Sequence, residues 1–274
     1  PRITQGDVNK DGLVDFYIGG GQGQAGQLFI QSKTGSFNLL SQPEFVKDQL
    51  CTDTDASFLD IDNDGDLDLF VSSGGYEYLE HDLVLQNRVY LNDGKGRFTR
   101  DQESLKDVPF ADNVVKTLDL DRDGDQDVIV GGGCIPWKYP LFNPTRLYRN
   151  DKGKLIRVEN SILDSLGIIQ DLVIADINKD GYDDLIAAGD WTGILYLENH
   201  KGQFDQIRNL IPNGQGFWNR LCLSDINKDG DPDIIAGNWG LNSQYKASNS
   251  EPILMSVADF DGNGSIDPIL SYYI

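Results

Sequence analysis

Histidine and cysteine are nearly missing from this chain: 274 residues include two of the first, His81 and His200, and three of the second, Cys51, Cys134 and Cys222. No G-x-S-x-G elbow, H-E-x-x-H pair or phosphate-binding loop occurs either, which removes the commonest hydrolase and nucleotide signatures. The odd, widely separated cysteines build no disulfide framework, so all three are expected to be free. Cys222, between Leu221 and Leu223, reads as a small buried hydrophobe. Basic charge is short as well: 23 Lys and Arg stand against 44 Asp and Glu, a net charge of −21 that argues against nucleic acid or an anionic membrane as partner. There is no apolar run long enough to cross a bilayer, and no initiator Met, signal peptide or lipidation box. The expectation is a processed or excised segment of a longer chain, starting at Pro1, without direct membrane insertion and with further domains on the same polypeptide.

The acid, in contrast, is abundant and ordered. The nine-residue pattern D-x-[DN]-x-[DN]-G-x-x-D returns six times. Side chains at alternate positions of a tight loop converge on one point, and a hard divalent ion such as calcium takes about six to eight oxygens at roughly 2.3–2.6 Å. Positions one, three, five and nine supply side chains and position seven a backbone carbonyl. The expected ligands are Asp7, Asn9, Asp11, Leu13 and Asp15, then Asp60, Asp62, Asp64, Asp66 and Asp68, then Asp119, Asp121, Asp123, Asp125 and Asp127. The later three loops contribute Asp176, Asn178, Asp180, Tyr182 and Asp184, then Asp225, Asn227, Asp229, Asp231 and Asp233, then Asp259, Asp261, Asn263, Ser265 and Asp267. Up to six Ca2+ ions are expected, and they would offset more than half of the net charge. The glycine at position six, Gly65 in the second loop, permits a reversal that a side chain would obstruct.

An EF-hand opens in the same way but needs a bidentate Glu at position twelve and flanking helices. Position twelve is Ile18, Val71, Val130, Ala187, Ala236 and Leu270, each in a short apolar run, so these loops join strands. Single copies resemble ordinary Asp/Asn/Gly turns; six copies in register do not.

Motif starts fall 53, 59, 57, 49 and 34 residues apart, a period that signals stacked supersecondary units. Only strands and turns are read between them. The fold expected is all-β: a β-propeller of about five four-stranded blades with calcium-binding hairpin loops, in one domain over residues 1–274. The blades are placed at approximately 1–45, 46–106, 107–160, 161–212 and 213–274. The short last interval is read as a second loop inside the fifth blade; a fragment of a six- or seven-bladed ring is the alternative.

The repeated motif resembles that of the FG-GAP and VCBS repeats of integrin α-subunit propellers and bacterial surface proteins. Gly237-Asn238-Trp239-Gly240-Leu241-Asn242-Ser243, followed by Asp259-Phe260-Asp261-Gly262-Asn263-Gly264-Ser265-Ile266-Asp267-Pro268-Ile269, is similar to the large Bacteroidetes VCBS-repeat proteins related to the cartilage acidic protein and UnbV group. The resemblance implies a calcium-stabilised propeller at the cell envelope or exterior and no particular catalytic site. Open loops with few ligands also suit a compartment rich in calcium, so an extracellular or cell-envelope location is expected.

In an up-and-down blade the calcium loops fall on one face of the ring and the second-to-third strand connections on the other. The other face collects Tyr76, Tyr78, Trp137, Tyr139, Trp191 and Trp239, with Trp218 near a link between blades. Aromatic rings among polar neighbours suit a glycan or protein ligand, although rings near strand ends also serve as packing. The function expected is non-enzymatic ligand recognition or adhesion. The rival is a polysaccharide lyase or glycosidase, which would draw an acid or base from Glu77, Glu80, Asp82, Lys138 or Asp190; a scaffold for partner proteins is a third reading.

Overall fold

The computed structural model describes residues 2–240 and 242–273. Pro1, Leu241 of the Gly237 to Ser243 motif and Ile274 lie outside the described residues. Among the described residues, twenty strands in five sheets carry the fold, as the all-β reading expects. The first unit is a meander of β1 (Ile3–Gly6), β2 (Asp15–Ile18), β3 (Gln27–Gln31) and β4 (Phe37–Leu40). The second runs β5 (Thr52–Leu59), β6 (Asp68–Gly74), β7 (Arg88–Asn92) and β8 (Phe98–Asp101). The third runs β9 (Asp112–Leu118), β10 (Asp127–Gly132), β11 (Arg146–Asn150) and β12 (Leu155–Val158). The fourth runs β13 (Ile168–Ala175), β14 (Asp184–Thr192), β15 (Ile194–Leu197) and β16 (Arg208–Asn209).

The last unit contains β17 (Gly216–Ser224), β18 (Asp233–Asn238), β19 (Leu254–Ala258) and β20 (Asp267–Ser271). Its strands form two hairpins, and among the described residues no ladder joins β18 to β19. β17 instead reaches back to the fourth unit, pairing Phe217 with Asp190 and Gly216 with Thr192. The Ser- and Asn-rich connection 239–253 separates the two hairpins and walls the cavity described below.

Not everything between the loops is strand and turn. Pro43 opens a five-residue helix, α1 (Pro43–Lys47), which drives Phe45 into the core. Proline at the first helical turn costs nothing there, because that N–H has no intrahelical partner. Two single 3-10 turns, Leu83–Leu85 and Leu163–Ser165, bury Leu85 and Leu163 in the same way. None of these helices is long and apolar enough to cross a membrane.

Burial explains why the second strand of each unit reads as a continuous apolar run rather than an alternating one. Leu69 and Val71 pack with Val8 and Tyr17 of the first unit, while Phe70 between them packs with Val115 and Val128 of the third. The scheme recurs: Ile129 meets Leu185 and Ala187, and Ile186 meets Leu221. Sheets therefore stack face to face, and the second strands of the second, third and fourth units are covered on both sides. In the last unit the equivalent Ile235 is 48% exposed and Ile269 50%. Cys222 pairs with Ile235 across the β17–β18 ladder and is exposed, not buried as its neighbours in sequence imply, because the face that it shares with Ile235 lies open. Cys51 and Cys134 are buried, and all three cysteines are free.

The first strands β1, β5, β9 and β13 and Leu223 of β17 surround a cavity of about 440 Å³. Across it the guanidinium of Arg2 reaches Asp55 at 3.1 Å and Asp171 at 2.8 Å, and donates to the Gln170 carbonyl at 2.6 Å. A side chain beside the first unit touches the fourth only because the units turn about a common axis, as propeller blades do.

Candidate functional site: acidic loops and an aromatic cavity

Each acidic loop is wound by its own side chains. The position-one carboxylate accepts the N–H of the position-six glycine: Gly12 to Asp7 at 2.8 Å, Gly65 to Asp60 at 2.9 Å, Gly181 to Asp176 at 2.8 Å, Gly230 to Asp225 at 3.0 Å, Gly264 to Asp259 at 2.8 Å. The position-five carbonyl-type oxygen accepts the N–H of position seven in all six loops, fixing the backbone at Leu13, Asp66, Asp125, Tyr182, Asp231 and Ser265.

Position nine does more than the sequence shows. Asp68 takes the Ile61 N–H at 2.9 Å with one oxygen and the Asn92 N–H of the third strand at 2.8 Å with the other. Asp127 does the same with Leu120 and Asn150, and Asp184 with Ile177 and Asn199. This carboxylate pins loop to sheet, and Asp15, Asp68, Asp127 and Asp184 are completely buried. The asparagine that it holds then reaches the preceding unit: Asn92 Nδ2 donates to the Val8 carbonyl at 2.7 Å, Asn150 Nδ2 to Ile61 at 2.8 Å and Asn199 Nδ2 to Leu120 at 2.9 Å. Loops and sheets are thereby tied from unit to unit.

Carboxylate oxygens from positions one, three and nine converge within 4.8 Å in three loops: Asp60, Asp62 and Asp68; Asp119, Asp121 and Asp127; Asp259, Asp261 and Asp267. Where position three is Asn9, Asn178 or Asn227, the amide Nδ2 donates to the position-five carboxylate instead, at 3.2, 3.1 and 2.8 Å. The donor set fits a hard cation on an observation besides charge. Asp60 Oδ1, Asp119 Oδ1 and Asp121 Oδ1 are buried acceptors without a protein partner, as are Asp66 Oδ1 and Asp125 Oδ1. Such orphans are costly unless something binds them. Burial, above all, pushes the Asp68 carboxyl up to about 7 and Asp127 to about 6, against the backbone donors that hold them down. Asp66 is raised to about 6 and Asp125 to about 7, again chiefly by burial and then by neighbouring acids.

Position four is not among the expected ligands. Lys10, Asn63, Arg122, Lys179 and Lys228 all adopt left-handed backbone there, with φ between 58° and 64°. Two of these side chains reach the following loop: Lys179 pairs with Asp231, and the Arg122 guanidinium lies 5.4 Å from the Tyr182 ring centroid.

At the opposite strand ends, Trp191, Phe217 and Trp239 form a continuous aromatic wall, with centroids 5.0 Å and 5.4 Å apart. They line a cavity of about 550 Å³ together with Asn213, Gln215, Asn238, Ser243 and Tyr245. Tyr139 stands behind the wall. Its hydroxyl accepts the Trp191 indole N–H at 2.7 Å and bonds Asp190, and burial pushes that phenol up to about 12. The carboxyl of Asp190 is itself raised by burial and lines a neighbouring cavity of about 450 Å³ that shares Trp191 as its wall.

The other aromatic residues expected on this face are not brought to the cavity. Tyr76 is hydrogen-bonded to Cys134, the Tyr78 hydroxyl is held by the Leu50 carbonyl, and Trp137 is 71% exposed on its own turn. Trp218 is a packing residue, its indole N–H given to the Gly214 carbonyl at 2.8 Å. Of the candidate acids and bases, Glu80 and Lys138 neutralise each other, Asp82 caps a 3-10 turn and Glu77 accepts from Thr52 at 2.8 Å. Phe217, Asn213 and Gln215 lie outside the set expected from sequence. The only sequence signal was the Asn-Gly-Gln-Gly-Phe-Trp stretch at 213–218, whose place beside Trp191 depends on the Asp190–Phe217 register.

Stacked four-stranded antiparallel units around an axis, with acidic hairpin loops at one end, define an all-β repeat protein of propeller type. The chain belongs to the FG-GAP-like repeat family, whose model matches residues 7–71, 60–130, 119–187 and 176–236. No curated protein matches the sequence. Among solved structures it is similar to an Agrocybe aegerita lectin described by its specific recognition of non-reducing terminal N-acetylglucosamine, at 18% identity and a TM-score of 0.58. The match covers 98% of this chain and 64% of the lectin's. A putative exo-β-1,3-galactanase from Bifidobacterium bifidum is similar over 99% of this chain and 90% of its own, at 11% identity and a TM-score of 0.50. At such identities the likeness is one of fold.

Proposed function

We propose that the protein is a calcium-binding, exported recognition module that holds a glycan or protein ligand on the face away from its acidic loops. The observation that carries the reading is the wall of Trp191, Phe217 and Trp239 over a 550 Å³ cavity lined by amides and hydroxyls. Rigid rings give contact area at little conformational cost, and convergent polar groups fix orientation. The lectin neighbour is compatible with this assignment and the galactanase neighbour keeps the glycosidase rival in view. Against that rival, Asp190 is the only carboxylate among the described residues lining either aromatic-walled cavity, whereas glycoside hydrolysis ordinarily employs two. The converging carboxylates and their orphaned oxygens support calcium, and calcium in turn supports an exported location. The finer placement among the Bacteroidetes VCBS-repeat proteins rests on the 237–243 and 259–269 motifs.

Glycan and surface-protein arrays probed in calcium and in chelator test the proposal. Specific hits that weaken by about tenfold or more in Trp239→Ala are expected. Turnover of an array glycan, lost in Asp190→Asn, would establish the enzymatic rival instead.

A further inference from the structure

We infer that the aromatic cavity selects uncharged saccharides and refuses uronate, sialylated or sulfated ones. The inference rests on the recognition reading above and narrows its ligand class. In a chain where charged residues make up 24% of the sequence, none of the described residues lining this cavity is Asp, Glu, Lys or Arg. Its polar side chains are the amides of Asn213, Gln215, Asn238 and Asn249 and the hydroxyls of Ser243, Tyr245 and Ser248, beside the tryptophan indoles. Amides and hydroxyls both donate and accept, which matches the dual character of sugar hydroxyls and acetamido groups. They offer no cation for a carboxylate or sulfate, and moving an unpaired anion into such a site carries a large desolvation cost. The protein's net charge of −21 adds long-range repulsion of polyanions in the same sense.

The wall fits this class. Phe217 and Trp239 are tilted by only 32° and offer a surface on which an apolar sugar face stacks, while Trp191 stands at 65° to Phe217 and forms a side wall for the next residue of a disaccharide. Trp239 is 55% exposed and thus available to a ligand, while Trp191 is fixed by Tyr139. Asp190 lines the neighbouring cavity and not this one, so no carboxylate is among the described residues that line the wall's own cavity.

The test is calorimetric titration in calcium with neutral disaccharides (cellobiose, laminaribiose, galactobiose, diacetylchitobiose) and anionic ones of equal length (digalacturonate, a sulfated disaccharide), each repeated with Trp239→Ala. A neutral sugar favoured over every anionic one by about tenfold or more, with that affinity lost in Trp239→Ala and the sugar recovered uncleaved, is expected. Preference for an anionic sugar would overturn the neutral class while leaving glycan recognition standing. Neutral binding that Trp239→Ala retains would overturn this cavity as its seat. Absence of binding by any saccharide, with a protein captured on the array instead, would overturn the inference together with the glycan arm of the proposed function. The melting temperature of Trp239→Ala, a half-exposed side chain, shows that lost binding is not lost folding.

Discussion

Two residues of every nine-residue loop sit in left-handed backbone, and chemistry treats them differently. Position six is always glycine, with φ from 84° to 97°. Position four is filled by Lys, Arg or Asn in five of the loops, although left-handed backbone costs a side-chain-bearing residue roughly 1–2 kcal/mol. The strain at position four is offset where the side chain finds the next loop, as Lys179 finds Asp231. Two substitutions in the fifth loop separate these roles. Gly230→Ala, at φ 90° with open space around it, should lower stability by about 1 kcal/mol through backbone strain alone. Lys228→Gly, at φ 64°, should leave the melting temperature unchanged or raise it. Calorimetric melts of both variants in calcium check the pair; equal losses would mean that position four, like position six, is held by something other than backbone strain.

At the scale of the strand, the arginine that opens the third strand of the second and third units is more than a strand marker. Arg88 and Arg146 are buried and paired with Asp53 and Asp112 at the head of the first strand, close to the bulge that each first strand carries. Burial pushes Asp112 up to about 6 while Arg146 pulls it down, so both partners stay charged at neutral pH. Asn87 Nδ2 donates to the same carboxylate at 2.8 Å, and Asp107 takes the guanidinium's other side at 3.0 Å. Removing one member strands the other in the core. Arg146→Met should therefore cost about 3–5 kcal/mol, and the double variant Arg146→Met with Asp112→Leu should recover much of it. Chemical denaturation of the single and double variants measures this. Additive losses would show that the pair is not the source of the penalty.

For the molecule as a whole, the proposed calcium assignment makes stability a function of pH and metal together. In the metal-free protein Asp68 and Asp127 titrate near 7 and 6, above the roughly 3.9 of an unfolded aspartate. The folded state then binds protons that the unfolded state has released, so metal-free stability falls as pH rises from about 4 to about 7. Calcium needs the ionised carboxylates, and its contribution grows over the same range. In chelator the protein should melt higher at pH 5 than at pH 7.5; in millimolar calcium the order should reverse. Asp121→Asn, which removes charge beside an orphaned oxygen, should shrink the calcium-induced rise, while Glu159→Gln, an 80% exposed side chain, should not. Scanning calorimetry at both pH values decides it. A melting temperature indifferent to calcium would return the six loops to the status of solvated turns.

What the sequence determined is what nine consecutive residues can encode. Each acidic loop gathers its side chains within one turn, so six loops, the strands on either side and the apolar second strands that are sandwiched between units were legible from residue order alone. The absence of hydrolase motifs was legible in the same way. Contacts set by register were not. Phe217 joins Trp191 and Trp239 because β17 crosses back to pair with β14, and no local pattern announces that ladder. Cys222 and Ile235 look like core residues in sequence and are exposed, since burial depends on whether a further sheet covers that face. Arg88 and Arg146 read as strand residues until the fold places an aspartate against each. Local backbone chemistry is written in the chain; which side chains from distant strands share a cavity is fixed only when the sheets stack around their axis.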